Sequence, residues 1–170
     1  MVATPGGRLE YLLPAAGQPA AVGYCEDPTR PSTHRRAVAT ALDLASRFDA
    51  AVHAVSVVDP ERVAEVPDET AEETRDALHE RASSAADAVA EQAPAPVEVS
   101  TVVREGRPAD AIVNYADEAD ADAVALGTRG RGGDEGFVLG SVAEAVVRTC
   151  ERPVLTVRGE RLGDDAASTA

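Results

Sequence analysis

Lysine is missing altogether from these 170 residues; all 16 basic residues are arginine. That excludes a Walker A lysine, a Schiff-base lysine and a kinase-type phosphate lysine. Tryptophan is absent too, and aromatics make up only 3% of the chain. With Phe48, Phe137 and three tyrosines, a stacking clamp for a flavin ring is poorly provided, which counts against a flavodoxin-like redox protein. The two cysteines, Cys25 and Cys150, stand far apart without a CxxC and read as idle thiols. His34, His53 and His79 show no metal-ligand spacing, and neither HExxH nor GxSxG occurs, so no histidine is assigned a catalytic role. No apolar run approaches membrane-spanning length. The opening stretch, MVATPGGRLEYLLPAAGQPA, lacks a basic region followed by a long apolar one. A cytoplasmic, soluble protein with no membrane partner is the expectation.

What the chain has in excess is acid. Thirty Asp and Glu against 16 arginines give a net charge of -14, spread along the sequence. Such a surface repels a phosphate backbone, which argues against nucleic acid as a partner. An acidic, lysine-free composition is similar to that of proteins from salt-loving organisms, where dense screening tolerates self-repulsion. Apolar residues reach 44%, enough for a single core built mainly from Val, Leu and Ala.

Short β-branched runs alternate with helical patterns. AVHAVSVV (51–58), VEVSTVV (97–103), DAVALG (122–127) and PVLTVR (153–158) read as strands. The first strand is either LEYLLP (9–14) or AAVGYC (20–25), the second being favoured. Helices are expected over roughly 33–48, where Ala37, Val38, Ala41, Leu42 and Ala45 make a stripe, and over 68–91. Further helices are expected at 108–119, opened by Pro108, and at roughly 141–151. The alternation means an α/β domain with a mostly parallel sheet, whose ligands bind at the carboxyl ends of the strands. Residues 1–18 are expected to be an amino-terminal extension, 19–158 the domain, and 159–170 an acidic tail.

One segment concentrates glycine: GTRGRGGDEGFVLGS, residues 127–141. Gly127 ends a strand run, Gly130 follows three later, and Gly140-Ser141 opens the last helix, a G-x2-G-x9-G-S spacing. A helix start offers free N–H groups and about half a positive charge, while glycine lets phosphate oxygens approach bare backbone. Ser141 adds a hydroxyl, and Arg129 and Arg131 can supply the positive charge lysine would otherwise give. The same residues allow a second reading. Ser141 and Glu144 match a capping box, and Gly132 and Gly133 suit a surface loop. Spacing alone leaves both open, and the dinucleotide pattern GxGxxG fails at Glu135.

The stretch 120–158, DADAVALGTRGRGGDEGFVLGSVAEAVVRTCERPVLTVR, resembles the carboxyl-terminal half of a universal stress protein domain, in its nucleotide-binding branch. RAVATALDLASRFDAAVHAVSVVDP (36–60) and EGRPADAIVNYADEADADAV (105–124) are similar to that family as well. The resemblance implies a single-domain three-layer sandwich of the adenine-nucleotide alpha-hydrolase-like, Rossmann type. Its parallel sheet would have five strands in the order 3-2-1-4-5. It also implies ATP as ligand, with Mg²⁺ or Mn²⁺ accompanying the triphosphate, and a homodimer formed through the strand at 153–158. Carried across by position, Gly127, Thr128, Arg129, Gly130, Gly140 and Ser141 would hold ribose and phosphates, with Val142 and Ala143 as first-turn amide donors. Val57 would pack on adenine. The family's first strand ends near an acid; after AAVGYC that acid is Glu26 or Asp27, with Asp27 favoured for adenine or ribose, whereas YLLPAAG has Ala16 there.

Three functions compete on this basis. The favoured one is a non-catalytic or very slow ATP-binding switch in stress response. The second is a weak ATP hydrolase or phosphotransferase, for which Asp134 and Glu135 are the nearby acids. The third is a nucleotide-free dimer that binds partners.

Overall fold

The computed structural model describes residues 19–24, 31–128 and 139–158, with side chains described from residue 35 onward. The elements run β1 (Pro19–Tyr24), α1 (Pro31–Phe48), β2 (Ala51–Val58), α2 (Pro60–Ala64) and α3 (Asp68–Gln92). They continue with β3 (Val99–Glu105), α4 (Pro108–Glu118), β4 (Val124–Gly127), α5 (Ser141–Thr149) and β5 (Val154–Val157). All strand pairs are parallel, and the sheet order is β3-β2-β1-β4-β5. β1 therefore lies in the centre, and the order reverses on its two sides, the place where α/β sheets open a crevice at their carboxyl ends.

The period-two alternation of β2 decides which helices cover which face. Val52 and Ala54 pack with Val38, Ala41, Leu42 and Ala45 of α1, Ala86 and Val89 of α3, and Ala125 of β4. The opposite face is a second apolar cluster: Ile112 and Ala116 of α4, Ala143 and Val146 of α5, and Val124 and Leu126 of β4, with Val57 against it. Two helices on each side of a buried parallel sheet make three layers. Between these clusters Val52, Val124, Ala54 and Val146 lie fully buried. The stripe expected from Ala37 to Ala45 is the buried face of α1, so its 3.6-residue period did the predicted work.

Several boundaries move from the sequence reading, each for a local reason. β3 starts at Val99 rather than 97, because the Val97 N–H donates to Pro94 O in a turn and pairing with β2 begins where Val52 meets Val99. It ends two residues later than expected, at Glu105, and closes at Gly106, whose φ of +138° lies where side chains are strained. There the Gly106 N–H donates to Val58 O at 3.0 Å, tying the carboxyl ends of β2 and β3. The favoured first strand is the one in the sheet, over Pro19–Tyr24. No helix among the described residues is long and apolar enough to cross a membrane.

A five-residue helix, α2, had no counterpart in the sequence reading. Its signal was present in Asp59-Pro60: the Asp59 carboxylate accepts from the Glu61 N–H at 3.0 Å as an N-cap, and proline occupies the first helical position.

Candidate nucleotide site

The carboxyl ends of β1, β2 and β4 share one edge of the sheet. β4 is buried until Leu126 and becomes half-buried at Gly127, where the chain leaves the sheet. The next residue stays anchored, since the Thr128 N–H donates to Val157 O of β5 at 2.9 Å. The chain then returns to the same place: the Gly140 N–H donates to Thr128 O at 2.7 Å. Gly127, Thr128 and Gly140 are thereby gathered beside the start of α5.

That helix begins one residue earlier than a Ser141 capping box requires. Gly140 is the N-cap, with φ −61° and ψ 151°, and no side chain caps the helix. Ser141 is the first helical residue and is exposed, so the Ser141–Glu144 capping box is not formed. Glu144 is the first residue to donate within the helix, to Gly140 O at 2.8 Å. The N–H groups of Ser141, Val142 and Ala143 precede it and have no intrahelical partner, as in any α-helix. None of them has an acceptor among the described residues. They point out of the helix at its positive end, where an anion is favoured. Ala143 is buried and Val142 half-buried against the α4–α5 cluster, which fixes the helix start rigidly on the sheet.

The reason for glycine also changes. Among the described glycines only Gly106 has a positive φ, so Gly127 and Gly140 adopt backbone conformations open to any residue. Their bareness is thus not demanded by a turn.

Val57, second from the end of β2, is half-buried and touches the cluster that includes Leu126 and Ala143. It faces the same side of the sheet as α5, which brings Val57 and the α5 start to one edge and one face. Asp27, Arg129 and Gly130 lie outside the described residues, as do Arg131, Asp134 and Glu135.

Below that edge, on the same face, sits a polar cluster that the sequence reading did not find. His53 Nδ1 and Tyr115 Oη are 2.7 Å apart, and Arg104 lies 5.0 Å from the Tyr115 ring centroid while pairing with Glu118 at 2.8 Å. Burial holds the His53 imidazole below its usual range and pushes the Tyr115 phenol up, Arg104 opposing and Glu118 reinforcing the latter. Tyr115 is buried and His53 half-buried, so this pair fastens α4 to β2. Partners 62 positions apart give no local pattern that a sequence reading can use.

The universal stress protein family matches residues 27–158. The chain belongs to that family. It is 38% identical over 120 residues to universal stress protein MJ0531 of Methanocaldococcus jannaschii, covering 69% of this chain and 71% of that one. Among solved structures, hypothetical protein MJ0577 superposes with a TM-score of 0.71 at 22% identity, over 84% of this chain and 97% of its own. A universal stress protein solved in complex with cAMP superposes at 0.54 with 27% identity, over 84% of this chain and 98% of its own.

Proposed function

We propose that this universal stress protein binds ATP at the carboxyl edge of its sheet, between β1 and β4, and works as a nucleotide-dependent switch rather than as a fast enzyme. The observation that carries the reading is the start of α5. Three amides with no acceptor among the described residues, at Ser141, Val142 and Ala143, open beside Gly127 and Gly140, and Thr128 holds that arrangement closed at its base. In this reading the phosphates lie on those amides, with Arg129 and Gly130 completing the cradle. Val57 packs on the base, and Asp27 accepts from adenine or ribose. A relative at 27% identity solved with cAMP supports an adenine nucleotide as the ligand class.

The residues fit a triphosphate through backbone donors, with no lysine needed. Among the described residues no three His, Cys, Asp or Glu side chains gather to hold a metal, so Mg²⁺ or Mn²⁺ would be carried in on the phosphates. The ion would neutralise phosphate charge there, in a chain whose net charge is -14. The homodimer belongs to the same proposal. β5 is one of the two edge strands of the sheet, and Leu155 upon it and Val147 on α5 are large apolar side chains left exposed. Pairing of two β5 strands would cover that edge.

Calorimetric titration with Mg·ATP in molar KCl tests the reading. Saturable heat, with a stabilisation of about 2.7 kcal/mol at a hundredfold excess over Kd, is expected. No heat and no thermal shift would leave the nucleotide-free dimer instead.

A further inference from the structure

From Pro60 to Arg81 the chain buries a single residue, Val63, whereas Ala82, Ala85, Ala86 and Val89 are all buried. The change falls in the middle of one continuous helix, α3. Its position in the fold explains it. His79 Nε2 lies 2.5 Å from Glu105 Oε1, and Glu105 is paired with Val58, the last residue of β2. His79 thus marks the level of the sheet's carboxyl edge. The eleven residues of α3 from Asp68 to Leu78 rise beyond it, by about 16 Å at 1.5 Å per residue.

α2 runs beside this overhanging half, separated from it by a groove of about 570 Å³ lined by Glu65, Val66, Thr74 and Leu78. Among the described residues, two polar side-chain contacts tie the hairpin to the domain: the His79–Glu105 hydrogen bond, and an exposed pair between Glu61 and Arg107 at 3.7 Å. Both are of the kind worth little individually. A segment with almost no buried apolar surface, an unfilled groove within it and two weak ties is where a protein opens locally before it unfolds globally.

We infer that residues 60–78 form an arm that opens from the domain as one cooperative unit, hinged at Asp59 and at His79. The first hinge is two residues from Val57. A base packed on Val57 would immobilise that end of β2 and bias the arm toward closure, so the arm would report occupancy of the edge. The opening itself is a property of the free protein; only its response to ligand rests on the nucleotide reading.

Hydrogen exchange of the full chain in molar KCl, read by mass spectrometry, separates the two. Without nucleotide, amides 64–66 at the end of α2 and in the turn after it, and amides 72–78 of α3, should share one opening rate, about tenfold or more faster than amides 84–89 of α3. Combining Glu105→Ala with Arg107→Ala should speed exchange throughout the arm about fivefold and leave 84–89 unchanged. Simple fraying would look different, with protection falling residue by residue toward Asp68 and α2 exchanging independently; that result overturns the arm. Where calorimetry shows ATP bound, exchange of 60–78 should slow at saturation, and bound ATP with unaltered exchange overturns the coupling. Absence of heat refutes nucleotide binding and the coupling with it, while the comparison in free protein still decides whether the arm exists.

Discussion

The backbone of Gly140 is fastened to that of Thr128 by a 2.7 Å hydrogen bond, so the residue that leaves the sheet and the residue that starts α5 are direct neighbours. The bond uses the Gly140 amide and spares the three that follow it. The Thr128 carbonyl thus holds the helix start in place, while those three donors meet no acceptor among the described residues.

Gly140→Val separates folding from binding at this point. The native φ of −61° and ψ of 151° suit valine, and the hydrogen bond to Thr128 needs only backbone. The melting temperature should change by about 4 °C or less. ATP affinity should drop at least about tenfold, or 1.4 kcal/mol, because a branched side chain then crowds the amides. Calorimetry beside a thermal melt checks both, and unchanged affinity would show that the phosphates lie elsewhere.

His53 makes stability depend on pH. Burial lowers its pKa in the folded protein, whereas the unfolded chain takes up a proton near about 6.5. Below that value the unfolded state binds more protons, so stability falls as pH drops toward the folded-state pKa and is complete above about 6.5. Urea midpoints measured from about pH 7.5 to about pH 5.5 should decline in the wild type and flatten in His53→Gln. Parallel profiles for the two proteins would assign the decline to other groups.

Salt should stabilise the fold. The screening length shrinks from about 10 Å at 0.1 M to about 3 Å at 1 M, which removes most repulsion among surface carboxylates of a chain with net charge -14. The melting temperature is expected to climb steadily with KCl across that range. A flat or falling curve would mean that the acid excess costs the native state little.

Leu155→Arg tests the β5 edge. Leu155 is 37% exposed, so a charged side chain there is tolerated in a monomer but is desolvated between two paired strands. Light scattering should show a dimer for the wild type and a monomer for the variant, with the far-ultraviolet spectrum unchanged. A dimeric variant would place the interface on another surface.

The sheet was largely legible because buried parallel strands leave continuous β-branched runs: AVHAVSVV is β2 to the residue. α1 was equally clear from its apolar spacing. α2 escaped because five residues with one buried side chain carry no period, although the Asp-Pro start was a usable cap signal. At the site, the last helix starts at Ser141 as its spacing suggested, whereas the alternative Ser141–Glu144 capping box is not formed because Gly140 takes the N-cap. Ser and Gly are both good N-caps, and the choice depended on which backbone Thr128 could reach. The His53–Tyr115 contact depends on packing α4 across β2, a tertiary fact no local spacing encodes.

The central position of β1 has a further consequence for how the molecule is made. Its partner on one side, β2, is synthesised next, but its partner on the other, β4, appears about a hundred residues later. A nascent chain can therefore assemble β1, β2 and β3 with α1 and α3 while the far flank of β1 is still unpaired. The donors of α5 are made after β4, so a nucleotide bound as proposed cannot guide the early steps and acts only once the far flank of β1 is paired.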